Sequence, residues 1–247
     1  MGRAARKRER TRGRGTVSGY APAAMSHPRP IVVLFDIDGT LLETGGAGRA
    51  AMEAAFGEIC GRPDACAHFS FGGMTDRAIA RQGLEAAGES PDEARLDALV
   101  ASYLRHLADA LPLHPHRVLP GVPPLLAALA VREDVALGLG TGNVREGAFA
   151  KLRHAAIDAP FRFGGFGCDA EDRAELLRVG AERGAAIAGR PREACRVVVI
   201  GDTPRDVAAA HAIGAEIVAV ATGGFDVEAL RATGAACVLA DLEGFVL

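Results

Sequence analysis

The chain has 247 residues, of which 49% are hydrophobic and 24% charged, an ordinary globular composition with enough apolar content to bury a real core. No apolar run approaches the roughly 18 residues of a membrane-spanning helix, and the absence of Trp argues against an aromatic-rich binding module. The formal charge of −3 conceals an asymmetry: residues 1–24 hold seven basic side chains against the single Glu9, a net +6, which leaves −9 for the rest.

Residues 1–27 show no apolar periodicity and are expected to form a disordered basic arm. The charges are not followed by the apolar stretch of about 7–15 residues that a secretory signal needs. Such an arm can bind nucleic acid or an anionic membrane nonspecifically, but it reads as a dispensable extension, a sharper version of which makes Met25 the true start. The first strong strand is Ile31–Asp36 (IVVLFD), a continuous apolar run suited to a parallel strand buried on both faces. Three helical patterns follow, Ala47–Glu58, Asp76–Ala87 and Pro91–Ala110, and then the proline-punctuated stretch Leu111–Pro124. Beyond it come a helix at Pro123–Ala130, a strand at Val135–Gly140 (VALGLG), and helices at Val144–Ala156 and Ala174–Gly184. A strand at Arg196–Gly201 (RVVVIG) leads to a helix at Arg205–Ile213, closed by Gly214. The strand Glu216–Val220, the helix Val227–Thr233 and the strand Ala236–Leu239 complete the chain.

Strand alternating with helix predicts an α/β fold, a doubly wound, Rossmann-like parallel sheet. A βαβ crossover needs only about 30 residues, yet no good strand lies between the first strand and VALGLG. That interval is therefore an inserted α-helical cap, placed to sit over the strand ends as a lid. The predicted division is an arm over 1–27, a core over 28–45 and 116–247, and a cap over 46–115. The five cysteines (Cys60, Cys66, Cys168, Cys195, Cys237) form no C-x-x-C pair, which fits scattered reduced thiols in a cytoplasmic protein rather than disulfides or a zinc site.

Ligands of open α/β sheets bind beyond the carboxyl ends of the strands. Three strands end in reactive groups there: Asp36 and Asp38 after IVVLF, Thr141 after VALGLG, and Asp202 and Asp206 after VVVIG. One acid after a strand is commonly a helix cap or turn former; three matching strand ends argue for a site. The motifs D-I-D-G-T (Asp36–Thr40), T-G-N (Thr141–Asn143) and G-D-T-P-R-D (Gly201–Asp206) together resemble the haloacid dehalogenase superfamily. The resemblance runs from Ile31 to about Ala240, and the inserted helices resemble the cap of its phosphoglycolate-phosphatase-like members.

The resemblance implies a Mg²⁺-dependent phosphatase acting on a small-molecule phosphate ester, phosphoglycolate-like, a sugar phosphate or a nucleotide. Asp36 is then the nucleophile that takes the phosphoryl group. Asp38, two residues on and pointing the same way, is the general acid and base. Acids crowded against a phosphate repel it unless a hard divalent cation intervenes. The implied ligands are the carboxylates of Asp36 and Asp202 and the backbone carbonyl of Asp38, with Asp206 reaching the ion through water. Thr141 is expected to hold phosphoryl oxygens with nearby N–H groups, Gly142 to allow close approach, and Asn143 to bind the phosphate or cap the next helix.

The superfamily usually places a lysine shortly before its last motif, and this chain departs from that pattern. Only Lys7 and Lys151 are lysines among 28 basic residues. Lys151, two helical turns past T-G-N, is expected to reach back and supply the missing cation, with Arg173 as its competitor. In the cap, Phe71–Asp76 (FGGMTD) reads either as a Gly-Gly turn before a helix capped by Thr75 or Asp76, or as a loop that closes over the site, with Thr75 and Arg49 as substrate contacts; Arg77 reads as a surface arginine. His114 and His116 lack a partner acid and are discounted as metal ligands. Asp38 counts against a dehalogenase, and the lack of a cap lysine against a phosphonatase. A phosphomutase on the same core, or a non-catalytic phospho-aspartate or scaffold module, remain as alternatives. No nucleic-acid partner beyond the arm and no membrane partner are expected, and the oligomeric state is open.

Overall fold

The computed structural model describes residues 1–2 and 29–247, so the expected disordered arm falls almost wholly outside the described residues. The strands are β1 (Ile31–Phe35), β2 (Leu42–Glu43), β3 (Arg117–Val118), β4 (Val135–Gly140), β5 (Gly164–Gly165), β6 (Arg196–Gly201), β7 (Glu216–Val220) and β8 (Cys237–Leu239). The α-helices are α1 (Ala47–Cys60), α2 (Asp76–Ala86), α3 (Glu93–Ala110), α4 (Val122–Ala130), α5 (Arg145–His154), α6 (Arg173–Ile187), α7 (Pro204–Ala212) and α8 (Val227–Ala232). No described helix is long and apolar enough to cross a membrane.

Six strands form one parallel sheet in the order β5-β4-β1-β6-β7-β8. The doubly wound α/β fold expected from the strand–helix alternation is the one observed. Each buried strand is apolar on both sides because helices cover both faces. Val33 and Phe35 join Leu139, Ile200 and Val220 beneath Leu125 and Leu126 of α4 and Leu152 of α5. Val32 and Leu34 join Val199 and Ala219 against Leu176 and Leu177 of α6 and Val207 of α7. Each fully buried side chain of this size contributes about 1.5–3 kcal/mol. The strand order reverses at β1, with β4 on one side and β6 on the other, and at such a point loops part to leave a crevice. Phe35 lies level with Leu139 and with Ile200, so Asp36, Thr141 and Asp202 all emerge at one edge.

Helices α1, α2 and α3 build a separate apolar cluster that includes Met52, Phe56, Leu84, Leu99 and Tyr103. Val144, at the start of α5, packs into this cluster and ties it to the sheet. The chain leaves toward these helices along β2 and returns along β3, and the two pair antiparallel, Leu42 with Val118 and Glu43 with Arg117. Helix α6 runs past its predicted stop at Gly184. That glycine is a packing position: a Cβ there would meet Val32 Cγ1 at 2.4 Å and the Phe163 ring at 2.7 Å.

Candidate active site

A cavity of about 490 Å³ opens between the strand ends and the inserted helices. Asp36, Asp38, Thr141, Gly142, Asn143, Lys151, Arg173 and Asp202 line its sheet side. From the inserted helices come Gly48, Arg49, Met52, Tyr103, Asp76 and the loop Phe71–Met74.

Asp36 is buried, and its backbone N–H donates to Ile200 O across the β1–β6 seam at 2.9 Å. Carboxylates of Asp36, Asp202 and Asp206 lie within 4.8 Å of one another, an arrangement able to hold a cation. Burial pushes the Asp36 carboxyl up to about 6, with Arg173 pulling it down and Asp206 and Asp38 pushing it further up. Burial raises Asp202 to about 8, and the neighbouring Asp36 and Asp206 charges add to that rise. Thr40, the last residue of D-I-D-G-T, donates its hydroxyl to Asp202 Oδ1 at 3.1 Å. So compact a set of hard oxygen donors, with one guanidinium against three carboxylates, fits a Mg²⁺-type ion.

Arg173 is the first residue of α6, whose amino end is capped by Asp172 accepting from Glu175 N–H at 2.8 Å. Its Nη2 lies 2.8 Å from Asp36 Oδ2 and 2.5 Å from Asp206 Oδ1. This nitrogen meets both oxygens without directed hydrogen-bond geometry, so charge rather than direction holds it. Its Nε donates to Asp206 Oδ1 at 2.6 Å. The other oxygen of Asp206 accepts from the Thr203 hydroxyl at 2.7 Å and from Thr203 N–H at 3.0 Å, closing a capping box on α7. Asp206 is thus engaged by Arg173 and Thr203, which leaves Asp36 and Asp202 as the freer carboxylates.

The two candidate cations meet different aspartates. Lys151 is buried on α5 and donates to Asp38 Oδ2 at 2.6 Å and to Asn143 Oδ1 at 2.7 Å. Asn143 donates Nδ2 to the same Asp38 oxygen at 2.8 Å and to Thr141 Oγ1 at 2.9 Å. Lys151 therefore reaches back as its helical spacing suggested, but it meets the second aspartate, while Arg173 meets the first. Asn143 does not cap α5: the N-cap is Val144, which offers no side-chain acceptor.

Two predicted cap contacts have other partners. Arg49 touches the cavity, yet its guanidinium donates to Cys66 O at 3.3 Å and Phe69 O at 3.2 Å and stacks over Phe71 at 4.0 Å. Thr75 is the N-cap of α2, accepting from Ala78 N–H at 3.1 Å, and is absent from the cavity wall. The sequence reading named Asp76 only as a helix cap and did not name Tyr103, and both line the cavity. Their signal in the sequence is slight: an acid in a first helical turn is common for dipole reasons, and Tyr103 falls on the apolar stripe of α3.

A family model described as haloacid dehalogenase-like hydrolase matches residues 32–214. A phosphoglycolate phosphatase of Rhodospirillum rubrum is 30% identical over 220 residues, 86% of this chain and 88% of that protein. Among solved structures, CbbY of Rhodobacter sphaeroides in complex with phosphate superposes with a TM-score of 0.65 at 18% identity, covering 86% of this chain and 95% of that one. A hydrolase from Pseudomonas syringae gives 0.63 at 22% identity, covering 86% and 94%. At these identities the solved structures speak for the fold.

Proposed function

The chain belongs to the haloacid dehalogenase-like hydrolases, and from that membership we propose that it is a Mg²⁺-dependent phosphatase that cleaves a small phosphate monoester through an aspartyl-phosphate on Asp36. The observation that carries the reading is the pairing of two adjacent acids with two different cations. Arg173 lies against Asp36, and Lys151 lies against Asp38.

An Asp36 oxygen attacks phosphorus as the ester P–O bond breaks, and Asp38 gives its proton to the departing alcohol oxygen. Asp38, now a carboxylate, takes a proton from water, whose oxygen attacks the aspartyl-phosphate; inorganic phosphate leaves and Asp36 is restored. Arg173 offsets the charge of the Asp36 carboxylate as the phosphoryl group arrives. Lys151 and Asn143 hold one oxygen of Asp38, leaving the other for the alcohol and the water. Thr141 Oγ1 already accepts from Asn143 Nδ2, so its own proton is available for a phosphoryl oxygen. Asp36 and Asp202, with the Asp38 backbone carbonyl, would hold Mg²⁺; when bound it neutralises the carboxylate cluster and polarises the phosphoryl group.

The test is a panel of phosphate monoesters with Mg²⁺ and with chelator, using Asp36→Asn as control. Turnover that needs Mg²⁺ and vanishes in Asp36→Asn is expected. Undiminished turnover in Asp36→Asn would remove the covalent mechanism.

A further inference from the structure

The amino end of α5 receives no side-chain cap from its own N-cap residue. Val144 is the N-cap and has no oxygen to offer, so the orphan N–H groups of the first turn need an outside acceptor. Asp76 provides one from another part of the fold. Its Oδ2 accepts from Val144 N–H at 2.8 Å, and its own backbone N–H donates to Gly142 O at 2.8 Å. One residue of α2 thereby grips the turn Thr141–Asn143 on both sides. Asp76 is buried, and it lines the cavity beside Lys151 and Tyr103.

The turn so held carries Thr141 and Asn143, and α5 carries Lys151 two turns further on. Asn143 and Lys151 in turn hold Asp38. Moving Asp76 therefore moves three groups that touch the reacting centre, although Asp76 has no bond to any of them. A negative charge at this place is also favoured by the amino ends of α2 and α5, which meet there. We propose that Asp76 is a positioning residue: by capping α5 from the inserted helices it sets the Thr141–Asn143 turn and Lys151, so that the acid–base group is assembled only when those helices are seated.

This inference rests on the phosphatase reading, and p-nitrophenyl phosphate hydrolysis separates the two. Asp76→Asn keeps an oxygen that can accept from Val144 N–H and is expected to stay within about threefold of wild-type kcat. Asp76→Ala is expected to lose about tenfold to a hundredfold in kcat with KM changed less than threefold, the scale of a small misplacement of catalytic groups. In a Lys151→Met background the same change is expected to cost less than it does in wild type, because one of the three groups it positions is gone. Amide exchange is an independent readout: residues 144–148 lose protection in Asp76→Ala and keep it in Asp76→Asn. Should Asp76→Ala fail to fold, Val144→Pro removes the donor instead, at a residue whose φ of −63° already suits proline, and the same loss in kcat is expected. Wild-type kcat in Asp76→Ala or Val144→Pro, or equal impairment of Asp76→Asn and Asp76→Ala, overturns the proposal and leaves the phosphatase reading standing. Absence of any turnover by wild type with Mg²⁺ overturns both.

Discussion

Replacing Arg173 by methionine keeps a long side chain but removes the guanidinium that lies between Asp36 and Asp206. Its Nη2 is 2.8 Å from the first and 2.5 Å from the second, and all three residues are buried. Two unit charges about 4 Å apart in an effective dielectric of about 20 attract by about 4 kcal/mol. Taking one partner from a buried pair costs about 3–5 kcal/mol, because the remaining charge is left uncompensated. The expected loss in unfolding free energy for Arg173→Met, measured by urea titration at neutral pH with chelator present, is therefore about 3–5 kcal/mol. Turnover should fall at least a hundredfold, since Asp36 loses its countercharge. Arg173→Lys should fall between, because an ammonium keeps the charge but lacks the separate Nε–H that donates to Asp206. Lys151→Met should destabilise less, since the Asp38 side chain it holds is 45% exposed and screened by water. An Arg173→Met protein within about 1 kcal/mol of wild type would refute this reasoning, as would Lys151→Met proving the more destabilising.

Mg²⁺ at about a hundred times its Kd should stabilise the protein by about 2.7 kcal/mol in a thermal or urea melt. Asp202→Asn should lose most of that gain, and full stabilisation of the variant would place the ion elsewhere. Burial pushes the Asp76 carboxyl from 3.8 up to about 6, opposed by the Lys151 ammonium and the Val144 N–H and assisted by the Asp38 charge. Between those values the native chain holds a proton that the unfolded chain has released, so stability falls as pH rises through the window and levels off above it. In Asp76→Asn the plot of unfolding free energy against pH should be flatter there, and an unchanged slope would contradict the assignment. A Cβ at Gly142 would lie 2.2 Å from Met74 O, a backbone atom with little freedom to yield. Gly142→Ala should thus destabilise by about 1–3 kcal/mol and impair turnover, and a neutral substitution would mean that the loop does not seat on the turn as described.

Most of the sheet was legible because β1, β4, β6 and β7 are apolar runs that only a two-sided burial explains. Strand β5 was not, since it consists of Gly164 and Gly165 and exists only through its pairing with β4. Strands β2 and β3 are two residues each and meet across more than seventy intervening residues, beyond the reach of any local pattern. In the site, spacing from the strand ends located Asp36, Asp38, Thr141 and Asp202. It did not separate the partners of Lys151 and Arg173, which depend on where α5 and α6 begin relative to the sheet edge. The partners of Arg49 were hidden for a similar reason: its charge was visible, but the carbonyls of Cys66 and Phe69 that it meets come from a loop with no periodic signal.

The short antiparallel pairing of β2 with β3 gives the inserted helices the character of a cassette. The outgoing and returning chains stand one strand spacing apart, about 5 Å, at the point where they leave the sheet. A two-residue turn bridges that gap in ordinary hairpins. Exchanging everything between Glu43 and Arg117 for such a turn is expected to leave the path of the parallel sheet in place. If Asp76 positions the turn as proposed, a graft in place of these helices would need its own counterpart of Asp76.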